Sequence, residues 1–238
     1  MLGFSKALKK FYEGFATPRR DMERSDNLSK YVAQTIQKIG EQEARFRPKD
    51  IVLVGSEASD VAAIRTKETD RLILLDIKGK VEDVPTSPGF AKLKVDPCNR
   101  QDWDDCLSHD GYLEPRKVLT LFKKRFEDAV REIQKEENLS GALSQENDIE
   151  ISGGESVAIT ISGTFGTPNW MFGKVKCDIV LLIDCQGLPP TELSPWLKGS
   201  LPLSQQWPRK EVIDEIRDSI GFGLVAKNVY EGDCENTN

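Results

Sequence analysis

The sequence predicts an α+β fold built on a mixed β-sheet, and two observations lead to that class. Two long stretches, residues 27–45 and 114–141, repeat apolar side chains at the three- and four-residue spacing of an amphipathic helix. Between and after them lie short runs rich in Ile, Val and Leu, which have the length and composition of buried strands. No internal repeat orders these elements, so an α+β arrangement is favoured over a regular array.

Helices are predicted by apolar spacing together with start and stop signals. Pro115 fits the first position of the central helix, Pro48 ends the helix before it, and Gly221 closes the last one. The first helix is short and basic, which fits either an anionic membrane surface or, more commonly, packing on its own domain. The predicted helices cover residues 4–15, 27–45, 114–141 and 209–220.

Strands are predicted where short apolar runs are bounded by glycine or proline. Gly153-Gly154 indicates a tight hairpin turn between two of them. The stretch 79–112, rich in glycine and proline, predicts loops around a single strand. The predicted strands cover residues 51–54, 72–77, 91–95, 148–152, 155–162, 174–185 and 222–226.

Charge is distributed unevenly along the chain. Residues 1–49 carry 11 Lys and Arg against 6 Asp and Glu, whereas the whole chain has a formal net charge of -6. A basic N-terminal region on an acidic body fits contact with a polyanion, although a solvated helix surface is the more common origin of such a pattern. We expect a basic segment at residues 1–24, a core domain at 25–228 and a flexible tail at 229–238.

Composition excludes several classes of protein. A chain of 238 residues with 38% hydrophobic and 30% charged residues is typical of a globular protein with a sizeable core. No apolar run approaches the roughly 18 residues of a membrane span, so stable membrane insertion is not expected. Five cysteines without a Cys-x-x-Cys pair, and no secretory signal pattern, predict free thiols and a cytoplasmic location. Cys98, Cys106 and His109 lack the fourth ligand of a structural zinc site.

Three acidic residues interrupt segments that are otherwise apolar. Glu68 and Asp70 open a predicted strand, where residues two apart point to the same face. Asp178 leads into five consecutive apolar residues of another strand. Carboxylates held together repel one another unless a cation lies between them, and a hard divalent ion such as Mg²⁺ resolves that conflict. The alternative for Glu68 and Asp70 alone is a solvated edge strand.

Gly55-Ser56, at the end of the first predicted strand, fits a phosphate site. Glycine allows phosphate to approach the backbone, and the serine hydroxyl would hold it together with the N–H groups of a short helix at 57–63. Two metal ions clamped by three carboxylates would then activate an attacking hydroxyl and stabilise a leaving pyrophosphate. Ser56 alone also fits an ordinary helix cap.

Taken in order, these motifs resemble the nucleotidyltransferase fold of the cyclic GMP-AMP synthase (cGAS), cGAS-like receptor and Mab-twenty-one family. The resemblance covers residues 25–228, and the helix at 27–46 is similar to the long spine helix of that family. It is carried by Gly55-Ser56, by Glu68-x-Asp70 twelve residues after the serine, by Asp178, by the helix-opening segment at 112–119, by the hairpin segments at 154–161 and 177–182, and by Gly-Phe-Gly-Leu-Val-Ala-Lys at 221–227, where Ala226 replaces a proline.

The resemblance implies a reaction and its ligands. Glu68, Asp70 and Asp178 would hold two Mg²⁺ or Mn²⁺ ions. Gly55 and Ser56 would hold the triphosphate of ATP or GTP, which the family joins into a cyclic dinucleotide. Double-stranded nucleic acid lies across the spine helix in the family, so double-stranded RNA is the expected activating partner of an innate immune sensor. The candidate phosphate contacts are Lys38, Arg45, Arg47 and Lys49.

Two departures from the family pattern leave a second function open. Glu57 and Asp60 add negative charge where triphosphate would bind. The chain also ends where the helical C-terminal lobe of the family begins, so we expect that lobe, which completes the nucleotide pocket, to be largely missing. The alternative to a cGAS-like synthase is a non-catalytic Mab-type scaffold, or a truncated decoy, that binds RNA or protein.

Overall fold

A computed structural model of the chain describes residues 19–54, 68–84, 87, 90–140, 149–154, 157–163, 174–187 and 209–226. The predicted helix at 4–15, the Gly55-Ser56 turn with the helix expected after it, and the C-terminal tail lie outside the described residues. None of the described helices combines the length and the apolarity needed to cross a membrane.

Four α-helices lie in the described residues, and three of them occupy segments predicted as helical. The first carries a fully buried stripe that includes Leu28, Val32 and Ile36, and it ends before Pro48 as predicted. A 3-10 turn at Ala44–Phe46 follows it, and the last helix continues into a wider turn at Ile216–Ile220. In chain order, the helices are α1 (Arg19–Gln42), α2 (Pro97–Trp103), α3 (Pro115–Ser140) and α4 (Lys210–Glu215).

The described strands are β1 (Asp50–Val54), β2 (Glu68–Leu75), β3 (Gly79–Asp83), β4 (Ala91–Val95), β5 (Ile149–Gly153), β6 (Ala158–Gly163), β7 (Val175–Cys185) and β8 (Phe222–Val225). Six of them form one sheet in the order β1-β2-β7-β6-β5, with β8 also paired to β7. β2 and β7 run parallel, whereas the other neighbours in this sheet are antiparallel. The predicted α+β class with a mixed sheet is confirmed.

The stretch 79–112 is more ordered than predicted. The strand expected at 91–95 is confirmed as β4, but the expectation of loops alone around it is wrong. β3 pairs with β4 as an antiparallel hairpin that forms its own small sheet. Pro97 then opens α2, preceded by Asp96 in extended backbone. Val81 is the only apolar side chain of β3. The strand therefore lacks the alternation of apolar and polar residues by which a strand is recognised in a sequence. The proline acts as a helix start at the first position rather than as a breaker.

The predicted hairpin between β5 and β6 is present, but its turn is longer than the tight turn expected. Gly153 and Gly154 both have positive φ, 73° and 79°, which is the reason for two glycines in a row. The N–H of Gly154 donates to the carbonyl of Ala158 at 2.7 Å, so the connection runs beyond two residues. Gly221, at φ 76°, ends the last helix as predicted, and a Cβ there would collide with the backbone at the end of β7.

A cluster of aromatic rings joins the helices to one another. Phe46 packs edge-on against Trp103 and Phe122, with ring centroids 5.5 and 5.3 Å away. Phe126 lies next to Phe122 at 6.3 Å, and all four side chains are 2% exposed or less. The rings come from the turn after α1, from the end of α2 and from α3, so this cluster fixes the helical layer against which the sheet packs.

Replacing Phe122 with alanine tests this cluster. Because the ring is 0% exposed and packs between two other aromatic rings, we expect a loss of about 3–5 kcal/mol in the free energy of unfolding. Val212→Ala, at a side chain that is 41% exposed, is the control and should change that value by less than about 0.5 kcal/mol. Urea denaturation followed by circular dichroism measures both, and equally small losses would contradict a core centred on these rings.

Candidate functional site

Two carboxylates from distant parts of the chain lie side by side in the middle of the sheet. β2 and β7 pair in parallel, and their register places Asp70 directly opposite Asp178. Glu68 lies two residues before Asp70, so it extends from the same face of the sheet. Lys176 lies opposite Glu68. We call these four residues, Glu68, Asp70, Lys176 and Asp178, the acid block.

The acid block lies on the face of the sheet that is turned away from the long helices. Between its members, Thr69 and Cys177 are 2% and 0% exposed and belong to the opposite, buried face. α1 packs against both strands. Strand alternation therefore explains the acid-x-acid pattern, because the intervening residue belongs to the core while Glu68 and Asp70 stay partly accessible to solvent.

The three acids of the block repel one another, and they differ in the partners that balance them. Burial, followed by the charges of Asp178 and Glu68, raises the pKa of Asp70 above its ordinary value. Asp178 accepts a hydrogen bond of 2.7 Å at Oδ1 from Oγ1 of Thr160 in β6. Oε1 of Glu68 lies 3.3 Å from Nζ of Lys176. Within the described residues, no side chain donates a hydrogen bond or forms an ion pair to Asp70.

The oxygen atoms of the three acids are suitable ligands for a divalent cation, although they are not arranged as a complete coordination site. Carboxylate oxygens are the ligands that Mg²⁺ prefers, and no described side chain gives Asp70 a counter-charge. In the part of the chain that the structure describes, however, no three His, Cys, Asp or Glu side chains are gathered closely enough to hold a metal ion. Glu68 is paired with Lys176 instead, and its side chain is 67% exposed. A metal held by all three acids therefore requires Glu68 to leave that lysine.

β1 leads the chain to the acid block. It pairs antiparallel with β2, and its last residue, Val54, lies opposite Asp70. Gly55 and Ser56, the predicted triphosphate ligands, come next in sequence and lie outside the described residues. Among the described residues, β1 therefore ends directly beside the acid block.

Comparison with known protein families identifies the family to which this sheet belongs. Residues 62–238 match the Mab-21 protein nucleotidyltransferase domain, a stretch that contains both strands of the acid block. The chain belongs to the Mab-21 nucleotidyltransferase domain family. No curated protein matches it in sequence. The matched stretch begins after Gly55-Ser56, so membership in the family is established by β2, β7 and their neighbours rather than by α1 or β1.

Three of the four cations predicted to contact nucleic acid are held in ion pairs of this Mab-21 domain. Arg45 is the most fixed of them, because it lies 2.5 Å from both Glu43 and Asp105 and its side chain is only 12% exposed. Lys38 and Lys49 pair with carboxylates of α3 and β7, respectively. Their charges are therefore partly neutralised before any nucleic acid binds.

Arg47 is the remaining predicted phosphate contact, and the described residues offer it no ion pair. It is exposed and lines an open groove of about 760 Å³ between α1 and the start of β1. Lys30, Gln34 and Gln37 line the same groove, with Glu41 as its acidic member. Nε2 of Gln37 already donates to Oε1 of Glu41 at 3.2 Å. The groove therefore offers two cations and the amide of Gln34, which suits an anionic ligand better than the paired side chains nearby.

Sequence reasoning missed two residues of the site, Thr160 and Lys176. Strand alternation places the residue two before Asp178 on the same face, as it does for Glu68 and Asp70, so the signal for Lys176 was present. Thr160 lies opposite Asp178 in the pairing of β6 with β7. That register depends on long-range contacts, so no local pattern could have identified the threonine.

The buried cysteines of the Mab-21 domain do not supply a nucleophile. Burial raises the pKa of Cys177 to about 11 and that of Cys106 to about 12. Both thiols therefore stay protonated at neutral pH, and the thiolate is the reactive form. Cys98, Cys106 and His109 are not gathered into a group of three potential metal ligands among the described residues.

Asp70→Asn tests the repulsion within the acid block. Because the pKa of Asp70 is raised on folding, the folded protein binds more protons than the unfolded chain between the two pKa values, and stability falls as pH rises through that window. Removing the charge should raise the free energy of unfolding at pH 7 by about 0.5–2 kcal/mol, the usual gain from relieving unfavourable charge. Below about pH 3 the gain should vanish, because the carboxyl is then protonated in both states.

Asp105→Asn is the matched control, for which the opposite sign is expected. A hydrogen bond from Arg45 lowers the pKa of Asp105, so its charge stabilises the folded state above the unfolded pKa. This variant should lose stability at pH 7. Urea denaturation in EDTA at pH 7 and pH 3 measures both variants, and a loss of stability in Asp70→Asn at pH 7 would contradict the repulsion.

Proposed function

We propose that this Mab-21 domain is a metal-dependent nucleotidyltransferase of the cGAS-like receptor type, which joins ATP and GTP into a cyclic dinucleotide in the cytoplasm. The observation that supports this function best is the direct pairing of Asp70 with Asp178 across two strands, with Glu68 on the same face. Mg²⁺ or Mn²⁺ is the proposed cofactor. Double-stranded RNA is the proposed activating ligand of an antiviral, innate immune sensor.

Each residue of the site has a distinct part in this proposal. Glu68, Asp70 and Asp178 would hold the ions, which when bound neutralise phosphate charge and activate the attacking hydroxyl. Thr160 donates to Oδ1 of Asp178 and so orients that carboxylate. Asp70 gains most from a cation, because its charge has no partner among the described residues. Three carboxylates alone would repel a triphosphate, so binding of ATP or GTP at this face depends on cations.

Double-stranded RNA is proposed to bind along α1. Arg47 and Lys30 line the groove beside this helix and are the cations best placed to meet phosphates. Lys38 and Lys49 would contribute by exchanging their own carboxylate partners for phosphate. Arg45 is the least available of the predicted contacts, because two carboxylates already bind it. Such contacts make binding strongly dependent on salt concentration.

A second function, a non-catalytic scaffold or decoy that binds RNA or protein, also has one observation in its favour. Lys176 already gives Glu68 a positive partner, and in the described residues the three acids are not gathered into a metal site. A domain that had lost its metal would need such a counter-charge to limit repulsion between its carboxylates.

Turnover of labelled nucleotides tests the proposed function. The purified chain is incubated with ATP, GTP and Mg²⁺ or Mn²⁺, with and without double-stranded RNA, and the products are separated by chromatography. We expect a product that depends on RNA. Asp178→Asn and the double variant Glu68→Ala/Asp70→Ala should each lower turnover by more than about 100-fold. Replacing a residue that only hydrogen-bonds to a metal ligand already costs about 10–100-fold in activity, and these variants remove the ligands themselves.

Asp184→Asn is the matched control for this assay. Asp184 belongs to the same strand and the same face as Asp178 but lies roughly 20 Å further along β7, beside Lys49. At saturating double-stranded RNA, where a change in the freedom of Lys49 no longer affects occupancy, this variant should keep its turnover. Melting temperatures of all variants check that they remain folded. Full turnover by Asp178→Asn would contradict the site, and no product from the unaltered chain would favour the scaffold.

A further inference from the structure

Lys176 forms the only ion pair to the three acids among the described residues. Its Nζ lies 3.3 Å from Oε1 of Glu68, and the two side chains are 52% and 67% exposed. The next pair on the same face of the two strands is Asp70 with Asp178. A positive side chain thus belongs to the same face and the same block as the proposed metal ligands, although neither the family match nor the proposed function gives it a role.

We propose that Lys176 is the internal counter-cation of the acid block, which competes with a divalent metal ion for the carboxylate of Glu68. This inference rests on the proposed function, since it concerns the same three acids. In the absence of metal, the ammonium group neutralises Glu68. Binding of a metal by all three acids requires that this ion pair be broken first.

The ion pair has the properties of a displaceable contact. Both partners are largely exposed, and exposed ion pairs contribute little because solvent screens them and long side chains lose entropy when they are held. A lysine ammonium is a compact charge on a flexible stem, so it moves away without disturbing the strand. The lysine also leaves the carboxylate of Asp70 without an ion pair among the described residues. The acid block is therefore stabilised only in part by its own lysine.

Displacement would also link metal binding to nucleotide binding. The released ammonium stays attached to β7, two residues before Asp178, on the face where the proposed triphosphate binds. A phosphate group offers it a new partner when the metal has taken the old one. By reciprocity, a triphosphate that holds Lys176 favours metal binding, and a bound metal favours the triphosphate.

Binding of Mn²⁺ to the purified chain, measured by the electron paramagnetic resonance signal of free Mn²⁺, tests this role without a turnover assay. Lys176→Gln should tighten Mn²⁺ binding about two- to fivefold, the equilibrium factor that corresponds to an exposed ion pair. Lys176→Arg keeps the charge and should bind like the unaltered chain. Lys80→Gln removes a lysine from another exposed ion pair, with Glu82 of β3, and controls for the change in net charge.

The outcomes separate this inference from the proposed function. Tighter binding in Lys176→Gln that is abolished by adding Asp178→Asn supports the competition, even if the unaltered chain binds Mn²⁺ too weakly to detect. Equal or weaker binding in Lys176→Gln, or equal tightening in Lys80→Gln, overturns the competition alone. Binding that survives Asp178→Asn, or no binding in any variant, overturns the metal site and the competition together.

Discussion

The parallel pairing of β2 with β7 is the contact on which the rest of the structure depends. It joins segments 108 residues apart in sequence and places Asp70 opposite Asp178 at the centre of the main sheet. A shift of either strand by one residue would turn its acids toward the buried face and its apolar side chains toward solvent. Because burying unpaired carboxylates is costly, one register is strongly favoured.

The two faces of β2 and β7 differ in chemistry: one is apolar and buried, and the other carries the acids. On the buried face, Ile73, Cys177 and Ile179 are fully enclosed and pack against the helical layer. On the other face, Asp70 and Asp178 are held together against their repulsion. The apolar face stabilises the strands enough to keep the two carboxylates side by side, which is the arrangement that a cation site needs and that an isolated strand pair would not maintain.

Much of this architecture could be predicted from the sequence, because it follows from periodicity. The apolar stripe of α1, the proline at the start of α3 and the Ile- and Val-rich runs each carry a local signal. The common face of Glu68 and Asp70 follows from the two-residue repeat of a strand. β3 and α2 were missed, because a strand with one apolar side chain and a helix opened by Pro97 have weak or misleading local patterns.

The organisation of the site depended on information that no local pattern carries. The sequence predicts that Asp178 joins Glu68 and Asp70 in one site, but it does not predict that Asp178 lies directly opposite Asp70, since register across distant strands is decided by the whole core. The hydrogen bond from Thr160 depends on the register of β6 with β7, and the ion pair from Lys176 depends on the register of β2 with β7. The sequence identified three acids that attract a cation. The structure adds that the ammonium group of Lys176 already serves as a cation for one of them, Glu68.

A crystal of the chain soaked in Mn²⁺ with a non-hydrolysable ATP analogue would test the central claim most directly. Anomalous scattering at the manganese edge locates the metal independently of any assay. The metal is predicted between the carboxylates of Asp70 and Asp178, with Glu68 turned away from Lys176 and toward the ion. An anomalous map without manganese at these carboxylates, with Glu68 still paired to Lys176, would contradict the metal site and favour a non-catalytic domain.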